Sequence, residues 1–168
     1  VMACRNMDDG RTVKQRLQSA GYSGSLDLFE LDLADLDSVQ EFADALRTRY
    51  TAIDTLCNNA GVMAIPRRES VDGFEMQFAV NHLSHFALTG LIFDCLRQGG
   101  TPAQPARVVT TSAGFHEIGE IKFDDLQSER EYGRLSAYAQ SKLANLLFAY
   151  ELDRRARASD EPVRSIAA

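Results

Sequence analysis

Short apolar runs of strand character alternate with helical patterns along this chain, and no other feature limits its fold as tightly. Strands separated by helices of ten or more residues must run parallel, because each crossover carries the chain back to the starting edge of the sheet. Val1 to Cys4 is the first such run, followed by a helical pattern around Arg11 to Ser19 and a glycine-bounded break at 21–24. In "SLDLFELDLAD", Leu26, Leu28 and Glu30 share one strand face. Ser38 and Glu41 have capping-box spacing, and Val39, Phe42, Ala43 and Leu46 recur at i, i+3, i+4 and i+7, which predicts a helix. "IDTLCNNAG" predicts a third strand, residues 73–96 a long buried helix, and "RVVTTS" a fourth strand. An irregular stretch over 113–135 is expected to hold a short helix near Asp124 to Arg130, and a long helix covers about Ser136 to Ala158 before a last strand-like segment. The pattern predicts one α/β domain, residues 1–168: a Rossmann-like, doubly wound parallel sheet with helices on both faces. Because the chain begins and ends inside strand-like runs, it is read as the middle of a longer polypeptide, incomplete at both ends.

Composition narrows the partners. The net charge of −6 argues against a nucleic-acid surface, which needs a basic stripe. Cys4, Cys57 and Cys95 are widely spaced and form no C-x-x-C pair, which suits a reducing, cytoplasmic setting. His82, His85 and His116 lack a believable ligand set, so no metal is expected. No apolar run in these residues approaches the ~20 needed to cross a bilayer; an anchor outside them is left open.

In open parallel sheets, ligands bind beyond the carboxyl ends of the strands. That rule selects Arg5, Asp32-Leu33, Asn58-Asn59-Ala60-Gly61 and Ser112-Ala113-Gly114, with Tyr138 and Lys142 opening the next helix. Residues at i and i+4 share a helix face, so the ammonium of Lys142 sits near the phenol of Tyr138. A neighbouring cation favours phenolate and makes a tyrosine a usable general acid/base.

"CRN", "LDLAD", "NNAGVM", "NHLSHFALT", "RVVTTSAG.H.IG" and "YAQSKLANLLF" occur in that order and together resemble the short-chain dehydrogenase/reductase family, particularly its retinol-dehydrogenase-like branch. The resemblance covers nearly the whole chain. It implies an oxidoreductase interconverting an alcohol and a carbonyl on a small apolar substrate, with Tyr138 as acid/base, Lys142 tuning it and binding the nicotinamide ribose, and Asn81 holding a proton-relaying water. It further implies that Asn59, Ala60 and Gly61 form a cofactor wall and that Asp32 and Leu33 meet the adenine. A guanidinium at Arg5 grips a 2′-phosphate where an acid would accept from a free hydroxyl, so NADP(H) is expected, with NAD(H) possible. The helices at about 73–96 and 136–158 resemble the four-helix dimer faces of relatives, but an apolar helix is equally well explained as core, so a homo-oligomer is left open.

Two departures stand out. The family's glycine-rich pyrophosphate turn is not in these residues. Relatives also carry a serine doublet after "RVV", whose second member falls here on Ala113; Ser112 is the catalytic candidate, Thr111 could contribute, or the substrate carbonyl loses a donor. The alternative reading is a catalytically weak reductase fold that binds a nucleotide or partner.

Overall fold

The computed structural model describes residues 1–21 and 24–168. Every strand pairs in parallel, as the helical crossovers require, but the strands form two sheets. β1 (Met2–Cys4) pairs with β2 (Leu28–Glu30), while β3 (Thr55–Asn58), β4 (Ala106–Thr110) and β5 (Val163–Ala167) form the second sheet in the order β3-β4-β5. Register places Asn58 beside Thr110 and Val108 beside Ser165. β1 and β3 do not pair with each other, so the parallel strands of the expected Rossmann-like arrangement fall into two sheets.

The helices begin where side chains satisfy the free N–H groups of their first turns. α1 (Met7–Ser19) starts four residues before the expected Arg11, because Asn6 accepts from the N–H groups of Asp8 and Asp9. It ends at Gly21, whose φ of +83° terminates the helix without strain; the rest of the glycine-bounded break, residues 22 and 23, lies outside the described residues. α2 (Leu36–Arg49) is capped by Asp35 rather than Ser38. Ser38 instead accepts from the Asp32 N–H at 3.0 Å, tying the end of the β2 segment to the helix. Val39, Phe42, Ala43 and Leu46 are buried as their spacing demands. They join Leu88, Ile92, Leu96, Val108 and Val163 in one core. Burying each of these larger aliphatic side chains contributes roughly 1.5–3 kcal/mol.

The helix expected over 73–96 is four pieces. Buried Glu75 caps α3 (Met76–Phe78) by accepting from Gln77 and Phe78. The π-helical segment Ala79–Leu83 follows, in which Ser84 N–H reaches back five residues to Ala79. α4 (Ser84–Leu91) resumes the ordinary ladder, and the chain bends at Ile92 into α5 (Phe93–Gly99). The irregular stretch contains a 3₁₀ turn at Gly114–Ile118. It contains no helix at 124–130: the Asp125 carboxylate accepts from the N–H groups of Glu129 and Arg130, and Ser128 has φ +49°. The side chain outcompetes helical bonding there. α6 (Arg134–Ala158) then packs along β4 and β5. Among the described residues no helix is long and apolar enough to cross a membrane.

Candidate active site

A buried ammonium organises the carboxyl end of the larger sheet. Lys142, on α6, is 4% exposed. Its Nζ donates to the Thr111 carbonyl at 3.0 Å and lies 5.6 Å from the ring centroid of Tyr138. Among the described residues no carboxylate pairs with it. Burial pushes its pKa below the ordinary lysine value. Tyr138 is half-buried, with Phe115 edge-on to its ring at 5.5 Å.

Asn81 is fully buried inside the π-helical segment. Its Oδ1 accepts from Val62 N–H at 2.7 Å; its Nδ2 donates to the Val62 carbonyl and to Ser141 Oγ, each at 2.9 Å. Ser141 in turn donates to the Tyr138 carbonyl. Asn81 therefore fastens the loop after β3 to the first turns of α6. The Asn81 carbonyl accepts from His85 Nδ1 at 3.1 Å, and burial lowers the His85 pKa to about 4. Gly61 presses on this frame: a Cβ there would stand 2.9 Å from Asn81 Oδ1 and 3.8 Å from Lys142 Nζ.

The other expected residues are placed as follows. Asn59, Ala60 and Gly61 are exposed after β3, and Asn59 Oδ1 accepts from Thr111 Oγ1 at 3.2 Å. Ser112 Oγ donates to the Lys142 carbonyl at 2.8 Å, so its hydroxyl is committed to α6, and Ala113 follows in extended conformation. Arg5 is exposed at the end of β1 and forms no ion pair among the described residues. Asp32 is half-buried, with Oδ1 accepting from Ala34 N–H at 2.9 Å. Leu33 is 8% exposed, belongs to the core, and offers its carbonyl to Ser84. Tyr138, Lys142, Asn81, Gly61 and Ser112 thus share one connected frame. Arg5 and Asp32 stand at the ends of the other sheet, with no hydrogen bond to that frame among the described residues. Among the described residues no group of three or more His, Cys, Asp or Glu side chains could hold a metal ion.

The sequence matches the short chain dehydrogenase profile over residues 1–166. The chain belongs to the short-chain dehydrogenase family. It is 39% identical to human polyprenol dehydrogenase over 154 residues, which is 92% of this chain and 47% of that protein. It is 42% identical to mouse retinol dehydrogenase 14, again over 92% of this chain and 48% of that protein. This branch of the family is therefore the retinol-dehydrogenase-like one. The chain spans about half the length of these curated relatives. The crystal structure of an uncharacterized protein from Mycobacterium Paratuberculosis superposes with a TM-score of 0.84 at 42% identity, covering 99% of this chain and 56% of that one. The Pseudomonas aeruginosa RhlG/NADP complex shares the fold, with a TM-score of 0.74 at 21% identity over 98% of this chain and 59% of that one. The family's Rossmann-like fold accounts for the parallel order found here.

Sequence reasoning missed Ser141, Asn145, Phe115 and the histidine contacts. Ser141 and Asn145 lie three residues after Tyr138 and Lys142 respectively, on the same helix faces, and that spacing was the available signal.

Proposed function

We propose that this chain is the catalytic part of an NADP(H)-dependent oxidoreductase that interconverts an alcohol and a carbonyl on an apolar substrate. The observation that carries the reading is the buried Lys142 ammonium, unpaired with any carboxylate among the described residues and set over the Tyr138 ring. Burying such a charge without a counter-ion is costly, and that cost is understandable where the charge serves chemistry.

The residues fit a nicotinamide ribose. Lys142 spends one donor on Thr111, which leaves N–H groups for ribose hydroxyls, and the bare backbone at Gly61 lets a sugar approach. When bound, the nicotinamide supplies or accepts the hydride. Tyr138 exchanges the proton at the substrate oxygen, with the Lys142 ammonium 5.6 Å from its ring centroid. Asn81 holds the wall at Val62 against α6 and keeps the two groups in line. Asn59 and Ala60 extend that wall. Arg5, exposed and without an ion pair among the described residues, receives the 2′-phosphate; Asp32 accepts from the adenine amino group beside Leu33. The relatives' names point to isoprenoid alcohols and aldehydes as substrates.

The test is NADPH oxidation by the full-length protein with retinal and longer prenyl aldehydes. Tyr138→Phe and Lys142→Met are expected to lower kcat by at least about a hundredfold, and Arg5→Glu to weaken NADPH more than NADH. Turnover that survives Tyr138→Phe refutes the assignment. One observation favours the second reading, a weakly catalytic binding protein: Ala113 stands at the serine position and Ser112 is committed to Lys142. Tight NADPH binding with no turnover of any aldehyde would select it. We also propose that a second copy covers the apolar face formed by Phe86 (56% exposed), Leu147 (50%) and Tyr150 (65%). Sedimentation velocity should find a dimer that Leu147→Glu dissociates.

A further inference from the structure

Behind Lys142 runs a line of buried polar groups with no part in the chemistry just described. The Thr111 carbonyl takes two donors: Lys142 Nζ at 3.0 Å and Asn145 Nδ2 at 3.1 Å. Asn145 lies one turn further along α6 and is 1% exposed. With its nitrogen committed to Thr111, the amide oxygen meets His82 Nδ1 at 3.1 Å. That oxygen can only accept, so Nδ1 carries the proton and the tautomer of His82 is fixed. The His82 ring is caged by Phe78 at 5.2 Å, Phe148 at 6.2 Å and Phe86 at 6.3 Å. These rings line an apolar groove of about 850 Å³ between α4 and α6.

Filling space does not explain this line. Leucine or phenylalanine would fill the same volume without burying an amide and an imidazole, each of which needs a partner. Among the described residues the line ends on the carbonyl that also receives Lys142. A carbonyl held by a second, fully buried donor cannot swing, and an ammonium bonded to it keeps its position.

We infer that Asn145 and His82 are positioning residues: from the groove side of α6 they fix the Thr111 carbonyl, and through it they aim Lys142 at Tyr138. The inference rests on the reading of Tyr138 and Lys142 given above. Both act through the Thr111 carbonyl, which makes them positioning residues.

Three variants of the full-length protein test it. His82→Phe keeps the aromatic packing and removes the donor, His82→Asn restores an amide donor near the Nδ1 position, and Asn145→Leu removes the link. His82→Phe and Asn145→Leu should each lower kcat by about ten- to a hundredfold, the scale of a misplacement of about 1 Å, with KM for the aldehyde changed by less than about twofold. His82→Asn should recover most of the loss. A second readout needs no turnover. Lys142 is acylated with a limiting amine-directed ester and its labelling rate is mapped by mass spectrometry, with Lys14 and Lys122, the chain's other two lysines, as internal controls. In His82→Phe and Asn145→Leu, Lys142 should label at least about threefold faster, as a buried amine released from its acceptor does, while Lys14 and Lys122 hold their rates. Unchanged Lys142 labelling overturns the inference. So does a parallel rise at all three lysines, which would mean general loosening, and so does an unchanged kcat in His82→Phe. Should the wild-type protein turn over no aldehyde, the functional reading fails, while the labelling still decides the positioning role.

Discussion

Replacing Asn81 with alanine measures how firmly the site is built. The side chain is 0% exposed and makes three hydrogen bonds: from Val62 N–H, to the Val62 carbonyl and to Ser141 Oγ. Alanine leaves the first two groups without that partner. Ser141 loses one bond but keeps its donation to the Tyr138 carbonyl. A buried polar group stripped of its partner costs about 1–3 kcal/mol, and less where water can reach it. Val62 is half-buried, so its two groups fall toward the lower figure. The sum for Asn81→Ala is roughly 2–4 kcal/mol, a large part of the 5–15 kcal/mol that holds a typical domain folded. Urea denaturation of the full-length protein reads this as a lowered midpoint at unchanged slope. Ser141→Ala removes one of the three Asn81 bonds together with the donation to the Tyr138 carbonyl, and should cost about 1–2 kcal/mol. The double variant should fall short of the sum, because the two share a bond. A loss below about 0.5 kcal/mol in Asn81→Ala would refute the reasoning. Val62 and Ser141 would then be satisfied some other way, and the loop after β3 would not be fixed to α6 through this amide.

Other outcomes follow from neighbouring contacts. Gly61→Ala puts a methyl group 2.9 Å from Asn81 Oδ1; it should cost about 1–3 kcal/mol by overpacking and weaken NADPH at least about tenfold, read by cofactor fluorescence titration. Ala113 has φ −166° and ψ 158°, which any residue adopts, so Ala113→Ser fits without strain. It should raise kcat by about ten- to a hundredfold if the new hydroxyl reaches the substrate oxygen, measured in steady-state NADPH oxidation. His85 is held neutral by burial, its pKa lowered from 6.5 to about 4. Between those values the unfolded chain binds the extra proton and the folded chain does not, so stability falls as pH drops from about 6.5 to 4 and rises again with pH. The loss attributable to this group is about 3 kcal/mol and is complete below pH 4. Denaturation midpoints across that range should show the slope in wild type and a shallower one in His85→Gln.

Much of the fold was legible because it rests on pattern. The periodicity at Val39, Phe42, Ala43 and Leu46 fixed the buried face of α2, and the β-branched run of β4 marked a strand. Boundaries were less legible where several side chains could cap. Asp35 and Ser38 both qualify for α2, and the preference for Asp35 depends on Ser38 being engaged by Asp32. Asn6 followed by Asp8 and Asp9 was a clear start signal for α1, overlooked because the apolar stripe of that helix is weak. At 124–130 composition suggested a helix, but one carboxylate, Asp125, captured the backbone donors first. The site was legible as far as it is local. Tyr138 and Lys142 meet through i, i+4 spacing, whereas Asn81 meets Val62 and Ser141, and His82 meets Asn145, across long stretches of chain that periodicity cannot join.

Three features that cost stability share a location. A leucine at position 81 would bury no amide. A lysine with a carboxylate partner would be easier to bury than Lys142, and any residue with a Cβ would restrict the backbone more than Gly61 does. Each feature makes the fold less stable than a plainer choice, and all three touch the same small volume. Gly61 stands against Asn81 and Lys142, and Asn81 reaches Ser141, the residue beside Lys142. Independent accidents of packing would scatter over the structure. Their convergence on one ammonium is what the proposed roles of Tyr138 and Lys142 require, since sites built for chemistry give up stability locally.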